Sequence, residues 1–333
     1  MKQRLSCNPP EIQEHHIRLP EQAVQLLNAT STHKKGITGK RVKIAVIDSG
    51  FFLHPFYTTR GYRIHHIRTT RERRPEVDNY GHGTAHLSSL FALAPKAEVL
   101  AIKCVDRDPS DALKKAISLK PHIINCAWGF DIDWPETKNK MGELPKIYKK
   151  IASLIDEAIS MGITVVAAAG NGQHSFPGCL PEVISVGGVF YAPDGTFTPS
   201  DASSRYVSSF YKHRVVPDIC GLAGKRPHGL LVLVPIPPKA QLAKRTSFTP
   251  TPHGHFSEAG QKITGWAIFS GTSAATSMIS GAVALILQAH PELTPVKIKE
   301  LLSLTARIVV DPGQSDVIER LVDVEAALAH LAL

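Results

Sequence analysis

Four polar residues stand in contexts where a side chain can do chemistry. Asp48 follows the apolar run VKIAVI, and Asn171 follows ITVVAAAG. His82 lies between two glycines in NYGHGTAH, and Ser273 opens the helix predicted over IFSGTSAATSMISGAVALIL. A serine hydroxyl becomes a nucleophile at neutral pH when a base takes its proton, a carboxylate orients that base, and a donor stabilises the oxyanion. The sequence offers one residue for each of these roles.

Each of these residues taken alone also fits a purely structural role. Asp48 fits a turn, His82 fits a helix start or the core, and Asn171 fits a left-handed turn between glycines. The hydroxyls before the apolar helix fit N-caps and close packing. The residue types therefore leave both interpretations open until their order along the chain is considered.

Apolar runs that resemble strands alternate with helical segments from residue 41 onward. The strand-like runs are VKIAVID, EVLAIKCV, HIINCAWG and ITVVAAAG, and the intervening helical segments include HLSSLFAL, DALKKAISL and KIYKKIASLIDEAISMG. Strands that are apolar on both faces predict a parallel sheet covered by helices on both sides. Ligands bind such sheets beyond the carboxyl ends of the strands, where Asp48 and Asn171 are predicted to lie.

The order Asp, His, Asn, Ser in these contexts resembles the subtilisin-like serine proteases, the subtilases. The resemblance is carried by DSG (48–50), GHGT (81–84), AAAGNG (167–172) and SGTSAATSMISGA (270–282), and it extends over residues 42–331. It implies a subtilisin-like three-layer α/β/α fold with a mostly parallel central sheet. The expected organisation is an N-terminal extension (1–40) packing on a peptidase domain (41–333), of the intracellular type without a prodomain.

The resemblance also implies a role for each residue. Ser273 would be the nucleophile, His82 the general base and then acid, and Asp48 the group that orients His82. Asn171 would donate its side-chain amide to the oxyanion. The positions it implies for substrate binding are Ala127, Trp128, Gly129 and Gly170.

The sequence departs from the family pattern in three places. Ser277 replaces a usual proline, which predicts a straighter helix and lower activity. The stretch VDRDPSDALKK replaces a glycine-rich strand. Its carboxylates predict an acidic rim of the cleft that favours basic substrates. The alternative is that Ser110 or Asp111 caps the helix that follows. The residues of this stretch expected to narrow the cleft are Asp106, Asp108, Pro109 and Asp111. The segment after His82 leaves no room for the family's calcium loop, so no metal and no cofactor are predicted.

Residues 221–262 differ in amino-acid composition from the rest of the chain. They are rich in Pro, Lys, Thr and His, and they predict a strand followed by a long surface excursion. Loops of this length are uncommon in compact domains unless they act as lids or binding surfaces. The segment is therefore predicted to restrict access or to bind a regulatory partner.

Composition narrows the class of protein. The chain has 333 residues, of which 43% are hydrophobic and 20% charged, so it can bury a large core. No membrane span and no signal peptide are recognised, which predicts a cytoplasmic protein. The five widely spaced cysteines predict reduced thiols. The net charge is +9, but the dense basic run RTTRERR lacks aromatic residues and predicts a solvated loop, not a nucleic-acid site.

Two functions remain compatible with the sequence. The first is a serine endopeptidase of restricted specificity acting on a peptide or protein, favoured by the four intact site residues. The alternative is a subtilase-fold binding module that is catalytically weak or inactive, favoured by Ser277 and the acidic stretch. A zinc hydrolase fails because Gly83 stands where the HExxH motif needs glutamate. The GxSxG pattern of serine esterases is also not matched.

Overall fold

The computed structural model describes residues 5–11, 16–104, 108–132, 144–224, 232–244, 255–256, 265–269 and 271–332. The helices are α1 (Glu21–Leu26), α2 (Thr30–Lys34), α3 (Pro55–Thr59), α4 (His82–Leu93), α5 (Ser110–Ser118), α6 (Lys146–Ser160), α7 (Gln241–Lys244), α8 (Thr272–Ala289), α9 (Pro295–Thr305) and α10 (Val324–His330). The strands are β1 (Lys43–Asp48), β2 (Arg63–Ile67), β3 (Glu98–Lys103), β4 (Ile123–Cys126), β5 (Phe130–Asp131), β6 (Thr164–Ala168), β7 (Ser175–Phe176), β8 (Ile184–Tyr191), β9 (Phe197–Pro199), β10 (Tyr206–Val207), β11 (Val215–Val216), β12 (Ile219–Leu222), β13 (Val232–Pro235), β14 (His255–Phe256), β15 (Trp266–Phe269), β16 (Arg307–Asp311) and β17 (Gln314–Leu321).

A central sheet of ten strands organises the molecule. Its order is β16-β17-β12-β8-β6-β4-β1-β3-β2, and β9 pairs with β8 off this path. The strands from β17 to β2 pair in parallel, whereas β16 and β9 are antiparallel to their neighbours. The predicted mostly parallel sheet is confirmed, and the carboxyl ends of its strands meet at one edge.

The two faces of the sheet bury two separate cores. Because side chains alternate along a strand, Ile44 and Val46 pack with α4 and α8, while Ala45 and Ile47 pack with α5 and α6. This arrangement gives the predicted three layers, helix, sheet and helix. Asp48 has the same parity as Ile44 and Val46, so it ends β1 on the face covered by α4 and α8.

The region before residue 41 packs on this domain at several points, which include β13 and the start of α10. Ile17 is fully buried and forms a parallel bridge with Val232. Further along, Leu27 O accepts a hydrogen bond from Val324 N at 3.2 Å, and Asn28 Nδ2 donates to Asp323 Oδ2 at 2.6 Å. The extension therefore bridges β13 and the N-terminus of α10.

The segment predicted as a strand and a surface excursion is largely docked where it is described. Strand β13 pairs antiparallel with β15 and is buried. Beyond it, Gln241 N donates to Asn79 O at 2.9 Å and Leu242 N donates to Tyr80 O at 3.2 Å, with Leu242 buried. The strand prediction is confirmed. Residues 236–242 pack on the loop before α4 through buried side chains such as Leu242, while Pro238, Lys239 and Gln241 are exposed, so this stretch runs along the surface. Residues 225–231, 245–254 and 257–264 lie outside the described ranges.

Helix α8 runs through the middle of the molecule. Within the described part of the chain it is the one helix long and apolar enough to cross a membrane, yet 83% of that stretch is buried inside the protein. Such burial is what a core helix shows. The five cysteines are free thiols, as predicted.

Candidate active site

Asp48 and His82 form a hydrogen-bonded pair. His82 Nδ1 lies 2.8 Å from Asp48 Oδ1 and 2.9 Å from Asp48 Oδ2. Asp48 is 4% exposed, so the carboxylate is nearly removed from water. Because a carboxylate only accepts hydrogen bonds, the pair places the neutral ring's proton on Nδ1 and leaves Nε2 as the basic nitrogen.

The first turn of α4 lies directly on the end of β1. A Cβ on Gly83 would lie 2.3 Å from Gly50 O and 2.9 Å from Asp48 Cβ, so no larger residue fits there. The helix begins at His82, one residue earlier. The glycine after His82 therefore allows the ring to reach Asp48.

The pair changes the protonation behaviour of the imidazole. Burial lowers the pKa of His82, but the charge of Asp48, its hydrogen bond and the charge of Asp78 outweigh burial and raise that pKa above its ordinary value of 6.5. A base with a pKa near the working pH transfers protons efficiently. The carboxylates therefore favour the imidazolium that forms when His82 accepts a proton.

Asp78 links the loop that follows Asp48 to the start of the helix that carries His82. One carboxylate oxygen accepts from Ser49 Oγ at 2.9 Å and from Gly81 N at 2.7 Å. The other accepts from Thr84 N at 2.9 Å and from Thr84 Oγ1 at 2.6 Å. Ser49 Oγ in turn accepts from Gly83 N at 3.0 Å. The loop after Asp48 and the start of α4 are thus held by one buried carboxylate.

The start of α8 is positioned by Asn171. Its Oδ1 accepts hydrogen bonds from Thr272 N at 2.8 Å and Thr272 Oγ1 at 3.1 Å. Gly271 has φ +133° and approaches so closely that a Cβ there would lie 3.0 Å from the same oxygen. The amide orientation is thereby fixed, with Nδ2 left as its donor. Ser273 is partly exposed, whereas Thr272 and Ala274 beside it are buried.

The two helices that carry His82 and Ser273 begin at the same edge of the sheet. Helix α4 starts beside the carboxyl end of β1, and α8 starts beside Asn171, which follows β6. The helices pack together about two turns further on, where a Cβ on Gly281 would lie 2.7 Å from Leu90 O. All four predicted catalytic residues are therefore gathered at one edge of the sheet.

Comparison with known proteins assigns the chain to a family. The peptidase S8 model, described as the subtilase family, matches residues 39–322. The chain belongs to the subtilase family. Among curated relatives, it is 27% identical over 307 residues to subtilisin E of Bacillus subtilis (strain 168), covering 85% of this chain and 65% of that protein.

Solved structures show the same fold. Fervidolysin from Fervidobacterium pennivorans, a keratinolytic enzyme related to subtilisin, matches with a TM-score of 0.67 and 20% identity, covering 97% of this chain and 50% of that one. A lanthipeptide protease matches with a TM-score of 0.66 and 17% identity, covering 93% of each chain. The subtilase architecture is therefore preserved despite low identity.

The four predicted substrate-binding residues of this subtilase lie on two segments. Residues 127–129 link β4 to β5, with Ala127 fully buried and the Trp128 ring 5.5 Å from Phe130. Gly170 precedes Asn171 on the second segment. The structure brings Gly129 and Gly170 together, because Ser175 touches the Cβ position of both. Their contact with substrate stays a prediction.

Asp111 of this subtilase does not cap helix α5. Pro109 occupies the N-cap position and makes no side-chain capping hydrogen bond. The Asp111 carboxylate instead accepts from Thr70 Oγ1 at 2.7 Å and from Arg71 N at 3.2 Å. The cap predicted at Ser110 or Asp111 is therefore wrong: Asp111 ties the basic loop to the helix, and Ser110 is the first helical residue.

Asp108 is matched by positive charge. Its carboxylate lies 3.4 Å from Lys150 Nζ and 3.7 Å from Arg71 Nη1, and it accepts from Ser110 N at 3.0 Å. An acidic rim that attracts basic substrates is not supported at this position. Asp106 lies outside the described residues. In the described part of the chain, no group of three His, Cys, Asp or Glu side chains is placed to hold a metal ion.

Ser277 is accommodated without a break in α8. The helix runs continuously over Thr272–Ala289, and Ser277 is 1% exposed. Its Oγ has no hydrogen-bond partner within the described ranges. The uninterrupted helix agrees with the absence of proline, and both the predicted straightening and the effect on activity stay predictions.

Sequence reasoning missed Asp78 as a site residue. It lies four positions before His82 in DNYGH, and a polar residue before a helix start is an ordinary N-terminal signal. The available clue was the run of Asp, Gly and Thr around His82, which supplies an acceptor and backbone donors within one turn. Only the fold shows that the same carboxylate also reaches Ser49 after β1.

Proposed function

We propose that this subtilase is a serine endopeptidase that uses Asp48, His82 and Ser273, with Asn171 as the oxyanion donor. The Asp48–His82 pair carries the proposal, because a buried carboxylate 2.8 Å from an imidazole nitrogen prepares that ring to act as a base. The start of α8 supports it, since Ser273 is accessible beside an oriented amide. An inactive binding module has no need for this combination.

The reaction would follow from these positions. His82 Nε2 takes the proton from Ser273 Oγ as this oxygen bonds to the peptide carbonyl carbon, and the carbonyl π electrons move onto its oxygen. Asn171 Nδ2 and the Ser273 N–H donate to that oxyanion. When the carbonyl re-forms, the C–N bond breaks and His82 gives its proton to the leaving amine. Water then repeats the sequence, releasing the acid and restoring Ser273, while Asp48 stays ionised.

We also propose that substrate access is restricted by the segment 221–262 or by a regulatory partner bound to it. Residues 236–242 contact Asn79 and Tyr80 immediately before His82, which supports this role. Replacing residues 245–262 with a short Gly-Ser linker should speed cleavage of a folded protein more than cleavage of a short peptide. Unchanged cleavage rates for both the folded protein and the short peptide after the replacement would refute the proposal.

Labelling with a fluorophosphonate probe tests the catalytic proposal. The wild-type protein should be labelled at Ser273, and Ser273→Ala should abolish labelling. His82→Ala should slow it strongly because the base is lost. Ser277→Ala is a matched control on the same helix and should be labelled at the wild-type rate. If circular dichroism shows that the wild-type protein is folded and it is still not labelled, the catalytic proposal is refuted.

Asn171→Ala is expected to lower kcat by about 100- to 1,000-fold, the range found when a side-chain oxyanion donor is removed from a serine protease. Since Asn171 Oδ1 also accepts from Thr272 N and Oγ1, the substitution should lower thermal stability modestly. Asn171→Asp retains these acceptors without the amide donor. Steady-state kinetics on one peptide should show that both variants lose kcat, and a fully active Asn171→Asp would exclude the donor role.

The labelling rate should rise with pH through the pKa of His82, because only the neutral ring accepts the serine proton. The raised pKa of His82 puts the midpoint above the ordinary value of 6.5. Protonated His82 also stabilises the fold, and this contribution is fully present below about 6.5 and is lost as pH rises through the raised pKa. Labelling rates measured from about pH 5 to about pH 9 test the first statement. A midpoint below 6.5 would contradict it.

A further inference from the structure

A crevice of about 680 Å³ opens beside β2, the strand that ends the ten-stranded sheet on one side. Its apolar lining comes from Leu53, Ile67 and Leu119, and Leu53 is 45% exposed. None of the four proposed catalytic residues lines it. The crevice is therefore a separate feature of the surface, with room and apolar area for a side chain of a bound segment.

The charged lining of this crevice is mainly positive. Of the described residues, Arg68 and Lys115 line it against one carboxylate, Glu76. Neither cation forms an ion pair with another residue in the described ranges. The basic loop, residues 68–74, holds four arginines and one glutamate. Three further exposed cations lie close in sequence to Arg68 or Lys115: Arg73, Arg74 and Lys114.

The other described carboxylates of the basic loop and the start of α5 already have partners. Asp108 lies 3.4 Å from Lys150 Nζ, and Glu72 Oε2 lies 3.8 Å from Lys103 Nζ. Asp111 accepts the two hydrogen bonds from the basic loop that are described above. The charge left at the crevice is therefore an excess of cations, which favours an anionic ligand.

The basic loop is held in place by fixed contacts. Asp111 on α5 ties the loop to the helix. Within the loop, Thr69 N donates to Glu72 O and Glu72 N donates to Thr69 Oγ1, both at 3.0 Å. Lys115 follows Asp111 by one helical turn. The backbone therefore presents Arg68 and Lys115 on the same crevice in fixed relative positions.

The crevice also lies close to the proposed catalytic residues. In the ladders of the sheet, Ile67 pairs with Ile102, which pairs with Ile47, so Arg68 stands level with Asp48 two strands away. Since neighbouring strands lie about 4.8 Å apart, the two backbones are separated by about 10 Å. A segment bound in the crevice would keep the rest of a flexible peptide near the site and raise its effective concentration there.

Resting on the proposed endopeptidase function, we propose that this crevice is an exosite for an acidic segment of the peptide or protein substrate. The carboxylates of this segment would pair with Arg68 and Lys115, and an apolar side chain among them would contact Leu53. Nucleic acid fits less well, because no Phe, Tyr or Trp is among the described lining residues and Glu76 would repel phosphate. The charge preference is opposite to the one expected from the carboxylates of residues 105–115.

Binding of short peptides to the full chain carrying Ser273→Ala tests this proposal without cleavage. Three fluorescein-labelled peptides are compared by anisotropy, in which leucine alternates with aspartate, with serine or with lysine. The aspartate peptide should bind at least about 10-fold more tightly than the serine peptide, and the lysine peptide should bind most weakly. Raising NaCl from about 0.05 to about 0.5 M should remove most of this difference, because salt screens exposed charges.

Charge reversal in the same background locates the binding. Arg68→Glu combined with Lys115→Glu should weaken binding of the aspartate peptide by at least about 10-fold. Lys297→Glu combined with Arg320→Glu is the matched control, since it changes the net charge equally on α9 and on β17, which lies toward the other end of the sheet. This control should change the affinity by less than about twofold. Glu76→Gln should tighten binding, because it removes the carboxylate that lines the crevice.

Competition links the crevice to cleavage. In the wild-type protein, the aspartate peptide should slow cleavage of a succinylated protein, which is strongly acidic. It should leave fluorophosphonate labelling of Ser273 unchanged, because the small probe needs only the catalytic residues. Slowed labelling would place the peptide in the catalytic cleft and refute the exosite.

Further outcomes separate this proposal from the endopeptidase function. The exosite is refuted if the aspartate and serine peptides bind equally, if both double variants lose the same affinity, or if a single-stranded oligonucleotide binds more tightly through the same residues. Wild-type protein that is labelled by the fluorophosphonate but does not bind the aspartate peptide keeps the endopeptidase function and loses the exosite. Folded wild-type protein that binds the peptide but is not labelled loses the endopeptidase function, and the crevice is then the peptide site of a binding module.

Discussion

Asp48→Asn is expected to lower kcat by about 10,000-fold, the largest loss expected from any change that leaves the nucleophile and the base in place. The asparagine amide fits the same space, but it can turn its NH2 toward His82 Nδ1 and stabilise the wrong tautomer. The charge that favours the imidazolium is also lost. Kinetics with a peptide ester at saturating concentration measure the effect on kcat.

A matched control for this substitution is Asp108→Asn. Asp108 lies on the loop before α5, where its charge is paired with Lys150. Its neutralisation should change kcat by less than about twofold, as expected for a partly exposed ion pair. The Asp48→Asn variant should also shift the acid limb of the pH profile downward, because burial still lowers the pKa of His82 while the carboxylate charge that raises it is gone. Equal kcat values for the two variants would refute the role of Asp48.

Asp78→Ala is expected to lower the free energy of unfolding by about 3 kcal/mol or more, because buried donors left without a partner cost about 1–3 kcal/mol each. The donors are the Ser49 hydroxyl, the Thr84 hydroxyl, and the amides of Gly81 and Thr84. Urea denaturation measures the loss. kcat should fall as well, since the loop after Asp48 and the start of α4 would no longer share an anchor.

Two further variants make this result specific. Asp78→Asn keeps one acceptor oxygen and should recover part of the stability. Asp194→Ala removes a fully exposed carboxylate that accepts from Thr196, and it should leave the unfolding midpoint unchanged. A midpoint for Asp78→Ala equal to that of the wild-type protein would show that Asp78 does not hold the two elements together.

Local sequence patterns were sufficient to predict the sheet and the candidate catalytic residues. Runs such as VKIAVID are apolar on both faces, which only a covered parallel strand requires, and Asp48 closes the run. His82 and Ser273 each begin a helix next to a glycine, and Asn171 follows a strand. These signals lie within a few residues of each catalytic candidate, so the candidates could be predicted before any tertiary contact was known.

The errors concern partners that are distant along the chain. Nothing in DPSDALKK indicates that Asp111 pairs with Thr70 on another loop, so a helix cap was the simpler expectation. Ser175 reads as an ordinary residue in QHSFPG, and its position between Gly129 and Gly170 depends on pairing β5 with β7.

The place of α8 in the chain order determines when the proposed catalytic residues can come together. This helix contacts β4, β6, β8, β12 and α4, but the ribosome reaches Thr272 only after all of those elements have been synthesised. At about 5–20 residues per second, the growing chain spends many seconds without the helix that fills its centre. During that time Ser273 has not yet been synthesised. Under the proposed function, a growing chain therefore has no complete set of catalytic residues until α8 has been synthesised.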